Sequence, residues 1–200
     1  ITGLIDNYPA EAEPVYGQRL IAIERRCVDW RWKLKGRAHR LRQVHGDFHP
    51  WNILFDRENR FCLLDRSRGE WGDPADDVTC LTMNYLFFSL QRSGRLEGPF
   101  EKLFRQFWER YLHTSNDAEI LEVAAPFLAF RGLVMAHPVW YPNLNQSVRD
   151  KLFRFMDATL SCDSFHPAEV NRYCGAYRTS RIRCLDNRPS GVLKDGRVFG

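Results

Sequence analysis

The sequence predicts a mainly helical α+β domain. Apolar residues recur at helical spacing through most of the chain, and a single polar turn is set between two short apolar runs. The 200 residues fit one domain large enough to bury a core, with 44% apolar and 27% charged residues, an ordinary balance for a globular protein.

The helical stretches follow in order. Residues 1–13 read as loop, with Gly3, Pro9 and scattered acids. A helix is expected from Pro14 to about Gly36, with Ile21, Ala22, Val28 and Leu34 on its apolar face and Trp30 and Trp32 as core anchors. Asp77 opens a strongly apolar helix, expected to be buried on most sides and closed by Ser93-Gly94. Gly98-Pro99 opens the next, on Phe100, Leu103, Phe104, Phe107, Trp108, Tyr111 and Leu112. Asp117 is placed to cap a helix running to His137-Pro138, which Pro126 should kink. A final helix is expected over residues 146–160.

The chemistry lies near the middle, in Val44-His45-Gly46-Asp47-Phe48-His49-Pro50-Trp51-Asn52-Ile53-Leu54-Phe55. Pro50 argues against a helix, so Asp47 and Asn52 sit on a loop and can turn to one side. The apolar run 53–55 and its partner 61–64 flank Asp56-Arg57-Glu58-Asn59-Arg60, a polar turn of hairpin length. Such a hairpin brings its open ends together and sets Asp65 close to Asn52 and Asp47. Two carboxylates and an amide oxygen then converge. Hard oxygen donors of this kind suit magnesium, and an unligated carboxylate beside them suits a base for a hydroxyl nucleophile.

This arrangement resembles the catalytic half of the aminoglycoside phosphotransferase and choline kinase-like family, relatives of the protein kinases. The family pattern is H-G-D-x-H-x-x-N, a hydrophobic hairpin, an Asp, then G-D-P-x-x-D. The chain supplies His45-Gly46-Asp47-Phe48-His49-Pro50-Trp51-Asn52, then Asp65, then Gly72-Asp73-Pro74-Ala75-Asp76-Asp77. The resemblance implies a protein kinase-like C-terminal lobe over residues 1–173, followed by a basic tail over 174–200. It implies ATP-dependent phosphoryl transfer to a small-molecule hydroxyl, with Asp47 as base and Asn52 and Asp65 holding Mg2+. His45, His49 and Asp77 would support the catalytic loop, and Leu54 would floor the adenine site. The chain departs from the pattern in carrying Arg66 after Asp65, often an aromatic position. The 43 residues before Val44 also hold no Gly-rich strand-turn-strand and no Lys on an apolar strand. A phosphate-covering N-terminal lobe is therefore expected as a separate partner segment.

Charge and composition narrow the remaining classes. Net charge is +4, but residues 171–200 hold seven Arg/Lys against two Asp, so the body is near neutral and offers no nucleic-acid face. No apolar run approaches the ~18 residues of a membrane span, and no signal peptide is visible, so the expected compartment is the cytoplasm. The six cysteines show no zinc-ligand spacing, and Cys62 and Cys80 read as core residues. Asp73 and Asp76 read as helix-capping or solvated acids. Glu97, Glu101, Glu109, Asp117, Glu119 and Glu122 are the acids available to a polycationic acceptor, although basic residues interleave with them. Two other functions compete. A dinuclear metallophosphoesterase would use Asp47-Phe48-His49 and Gly72-Asp73-Pro74-Ala75-Asp76 but lacks its third metal-binding block. A non-catalytic kinase-like binding module is the other. In the tail, residues 192–199 carry a short hairpin signal at Asp195-Gly196.

Overall fold

Two helices lie at the centre of the molecule, over residues 74–93 and 120–136, because each is apolar on most of its sides. A computed structural model describes residues 1–66 and 68–175, and places seven α-helices and four short strands among them. They are α1 (Thr2–Ile5), α2 (Glu13–Lys35), β1 (Arg42–Gln43), β2 (Ile53–Phe55), β3 (Phe61–Leu63), β4 (Trp71–Gly72), α3 (Pro74–Ser93), α4 (Gly98–Ser115), α5 (Ile120–Ala136), α6 (Gln146–Leu160) and α7 (Val170–Cys174). The fold is mostly helical with two small sheets, as an α+β reading requires. The tail hairpin expected over 192–199 lies outside the described residues.

α5 is the central strut. Ile120, Val123, Ala124, Leu128, Ala129 and Leu133 are all fully buried, in one core with Met83 and Leu86 of α3 and Leu152, Phe153 and Met156 of α6, the two helices α5 packs against. Each such large side chain contributes roughly 1.5–3 kcal/mol by leaving water. Gly132 lets α5 and α6 approach closely, because a Cβ there would sit 2.7 Å from the Met156 side chain. Pro126 lies within α5, and the helix continues past it to Ala136.

The remaining helices close the core. α4 inserts Phe104 and Trp108, and α7 adds Val170, Tyr173 and Cys174. The helix over 146–160 is therefore not the last, and residues 1–13 are not all loop: α1 and a 3-10 turn at Ala10–Ala12 precede α2. On α2 the buried stripe is Tyr16, Leu20, Ile23, Cys27 and Trp30, at steps of four and three. The expected face was the wrong one, since Ile21 and Val28 are exposed and Trp32 is 62% exposed. Lys33 and Lys35 lie over the Trp30 and Trp32 rings, so the outer side of this helix end carries cation–π pairs.

Two antiparallel pairs hold the central loop. β2 and β3 form the expected hairpin, with Ile53 opposite Leu63 and Phe55 opposite Phe61. β1 pairs with β4, and Val44 N–H extends that pairing to the Glu70 carbonyl at 3.0 Å. The second pair was not foreseen, because two-residue strands leave no periodicity to read. Cys80 is buried, and burial pushes its thiol up to about 12. Cys62, by contrast, is exposed on the hairpin, because the 61–63 run belongs to a sheet of two strands that nothing among the described residues covers.

A buried cation ties the loop to the helices. The Arg40 guanidinium donates to both Asp73 oxygens, at 2.8 and 2.9 Å, and to both Asp117 oxygens, at 2.6 and 3.1 Å. Burial alone would lower its pKa, but these two carboxylates raise it. Asp73 also caps α3, accepting the Ala75 N–H at 2.9 Å. Asp117 lies just before α5 with the Ile120 N–H, the first of that helix, as a backbone partner, and its carboxylate is also bound by Arg40 and by the Tyr111 hydroxyl, the latter at 2.9 Å.

Beside it, Glu119 pairs with Arg37, with Arg40 and with His39 Nε2, the last at 2.9 Å. The His39 hydrogen bond, then those from Arg37 and Arg40, hold the Glu119 carboxyl down at about 2, against 4.5 when unperturbed. A depressed carboxylate contributes stability that is present above the unfolded value and is lost as pH falls through the folded one. Glu119→Gln is therefore expected to lower the urea midpoint at pH 6, and the difference from the parent should vanish near pH 2.

Candidate active site

The loop between β1 and β2 is fixed from below by α3. Asp77, in the first turn of that helix, accepts the backbone N–H groups of His45 and Gly46 through its two oxygens, at 2.7 and 2.8 Å. Gly46 adopts φ +83°, a region open to glycine at little cost. This sharp bend turns the next residue, Asp47, inward.

His45 locks the other side. It is buried, its Nε2 lies 2.7 Å from the Leu64 carbonyl, and its Nδ1 lies 3.4 Å from the Asp47 N–H. A neutral ring protonated on Nε2 satisfies both contacts, donating to the carbonyl and accepting from the amide. Asn52 donates its side-chain N–H to the Asp47 carbonyl at 3.0 Å, and the Asn52 carbonyl accepts the Leu64 N–H at 2.9 Å. The hairpin thus returns the chain to the loop. Asp65 follows Leu64 directly, in the left-handed region at φ +53°, a conformation Asp tolerates better than most residues.

Asp47 itself is buried and doubly paired. Its Oδ1 accepts from Arg131 Nη1 at 2.9 Å, and its Oδ2 lies 3.0 Å from Arg68 Nη2 and 3.7 Å from His49 Nε2. Arg131, on α5, also donates through Nη2 to Asp76 at 2.9 Å and to the Gly46 carbonyl at 3.4 Å. Asp76 is accordingly not a solvated acid. Burial pushes its carboxyl up from the usual range, with the Arg131 charge opposing that shift.

A cavity of about 820 Å³ opens onto Asp47. Asp47, His49, Arg68 and Arg131 form its polar floor, and Phe87, Phe88, Phe130 and Tyr141 belong to its walls. Asn52, Asp65 and Leu54 do not line it. Leu54 is half-exposed and shares one face of the hairpin with Cys62, while Phe55, Phe61 and Leu63 stand exposed on the other face. The site therefore has two sides: a walled cavity at Asp47, and an open ledge on the hairpin at whose base Asn52 and Asp65 sit.

The residues fit a magnesium ion on the ledge side. The Asn52 amide has its N–H committed to the loop, which leaves its oxygen to coordinate, and Asp65 adds a carboxylate. Two protein oxygens with the balance from water and phosphate are the usual magnesium complement. Among the described residues no three His, Cys, Asp or Glu side chains lie together as a metal cluster, which a two-metal phosphoesterase centre would need. The acids named for a polycationic acceptor do not reach the cavity: Asp117, Glu119 and Glu122 converge on Arg37 and Arg40, and Glu101 pairs with Arg105.

Arg131 and Arg68 escaped the sequence reading. Arg131 carried a signal, since it is the one charged residue in the 14-residue apolar run 123–136 of α5. A lone charge there needs a buried partner. Arg68 stood in a loop, where nothing in the pattern marks it.

Among the described residues no helix is long and apolar enough to cross a membrane. No curated protein and no solved structure matches the chain. The model of the phosphotransferase enzyme family matches residues 4–129, a span that contains the whole loop, the hairpin, Asp77 and most of the helices that position them. The chain belongs to that phosphotransferase family, of the aminoglycoside phosphotransferase-like kind.

Proposed function

We propose that residues 1–173 form the catalytic, protein kinase-like C-terminal lobe of an ATP- and Mg2+-dependent phosphotransferase acting on the hydroxyl of a small molecule. The observation that carries this reading is Asp47, a buried carboxylate aimed into an 820 Å³ cavity from a loop whose backbone is held by Asp77. Asp47 orients the acceptor hydroxyl and takes its proton as the acceptor oxygen bonds to the γ-phosphorus and the bond to the β–γ bridging oxygen breaks. Arg131 holds Oδ1 throughout. Arg68, on an exposed loop, yields Oδ2 to the incoming hydroxyl and turns its charge to the phosphoryl group. His45, His49 and Asp77 support this loop.

Asn52 and Asp65 would hold Mg2+, which neutralises charge on the nucleotide phosphates. Leu54 belongs to the apolar ledge that supports the adenine. The partner segment on this side is a phosphate-covering N-terminal lobe, and the compartment is the cytoplasm. The test is 31P NMR of ATP with a panel of hydroxyl compounds. ADP and a phosphate monoester should appear together, and chelating the magnesium should abolish both. Free phosphate as the sole product would contradict transfer to an acceptor.

A further inference from the structure

Resting on that reading of the Asp47 cavity as the acceptor site, we infer that the acceptor is an uncharged, ring-bearing alcohol and not a polycation or a quaternary ammonium compound. The argument begins with charge. Asp47 is the one carboxylate among the described residues that line the cavity, and both its oxygens are already paired with guanidinium groups. Asp76, just behind the wall, is taken up by Arg131. Two cations and two anions cancel, and the Oδ2 that Arg68 yields is taken by the acceptor hydroxyl, so an ammonium group on the acceptor finds no anion of its own. Burying a charge without one is strongly unfavourable.

The walls supply what an uncharged ring needs. Trp51 and Phe88 meet at 5.4 Å between centroids, Phe88 meets Phe87 at 5.8 Å, and Phe87 meets Tyr141 edge-on at 5.0 Å. This is a continuous run of four rings from the catalytic loop to the segment after α5. Ring faces also attract cations. Here, however, a cation on the wall would give up its hydration in a cavity whose charges are already paired with one another, and a ring face alone does not replace that hydration. The polar groups on the walls are neutral amides. Asn84, whose N–H donates to the Cys80 carbonyl at 2.8 Å, lines the cavity, and Gln91 lies at the exposed rim. They suit a second hydroxyl on the acceptor. The volume is that of a site for a drug-sized molecule.

The test uses the full chain with three probes, 2-naphthylethanol, choline and kanamycin, titrated by calorimetry and by ligand-observed NMR. Naphthylethanol should bind, and Trp51→Ala should weaken it at least fivefold. Trp51 is exposed, so that variant should keep its fold, checked by its thermal midpoint. Trp140→Ala, at the half-exposed rim, should weaken binding in the same sense. Choline and kanamycin should bind at least tenfold more weakly. Binding of either cation tighter than naphthylethanol, or no binding of naphthylethanol at all, overturns the inference. The phosphotransferase reading is scored separately. If a cationic probe is phosphorylated in an Asp47-dependent way, the inference fails and that reading stands. If naphthylethanol binds as described but no panel alcohol is ever phosphorylated, that reading fails while the cavity's preference holds.

Discussion

Asp47→Asn is expected to lower kcat for phosphoryl transfer by about 1,000-fold while leaving the fold in place. A positioned base is worth roughly 10²–10⁴ in rate, and a thousandfold loss corresponds to about 4 kcal/mol of barrier. The substitution keeps the side-chain shape and an oxygen to accept from Arg131 at Oδ1. It removes the charge that accepts the hydroxyl proton. Urea denaturation should therefore show a change of at most about 1–2 kcal/mol, the scale of a weakened charged hydrogen bond. A kcat within tenfold of the parent would contradict the role given to Asp47.

The second large effect falls on stability. Arg131 is nearly sealed from solvent and serves Asp47, Asp76 and the Gly46 carbonyl at once. Arg131→Ala takes the guanidinium away from Asp76 and leaves Asp47 with Arg68 alone, and breaking a buried pair in this way costs about 3–5 kcal/mol. Asp76→Asn added to Arg131→Ala should recover part of that loss, because it removes the charge that Arg131 had compensated. Urea denaturation of the two single variants and the double variant gives the coupling directly. Additive effects would show that Arg131 and Asp76 act independently, against the geometry.

The two results bear on different parts of what the sequence revealed. The loop and hairpin were legible because their residues are close in the chain: Asp47, Asn52 and Asp65 fall within 19 residues, and a polar turn between apolar runs dictates how they meet. The long helices were legible through spacing, and residues 146–160 match the observed α6 from end to end. What failed was local or distant in a way that pattern does not encode. On α2 the interleaved arginines masked the stripe at 16, 20, 23, 27 and 30, although the steps of three and four were there to be counted. The acids at 117, 119 and 122 belonged to an ion-pair cluster around Arg37 and Arg40, 77 to 85 residues away in sequence. Arg131, 84 residues from Asp47, could be suspected only from its isolation among apolar neighbours. Only the packing of α5 against α3 brings it to the loop.

The most direct test of the account is calorimetric titration of ATP into the chain, with and without Mg2+, beside Asp65→Asn. The account predicts binding that requires Mg2+ and that weakens at least tenfold in the variant, because Asp65 supplies the charged oxygen to the metal. Binding indifferent to Mg2+, or equal in the two proteins, would contradict it.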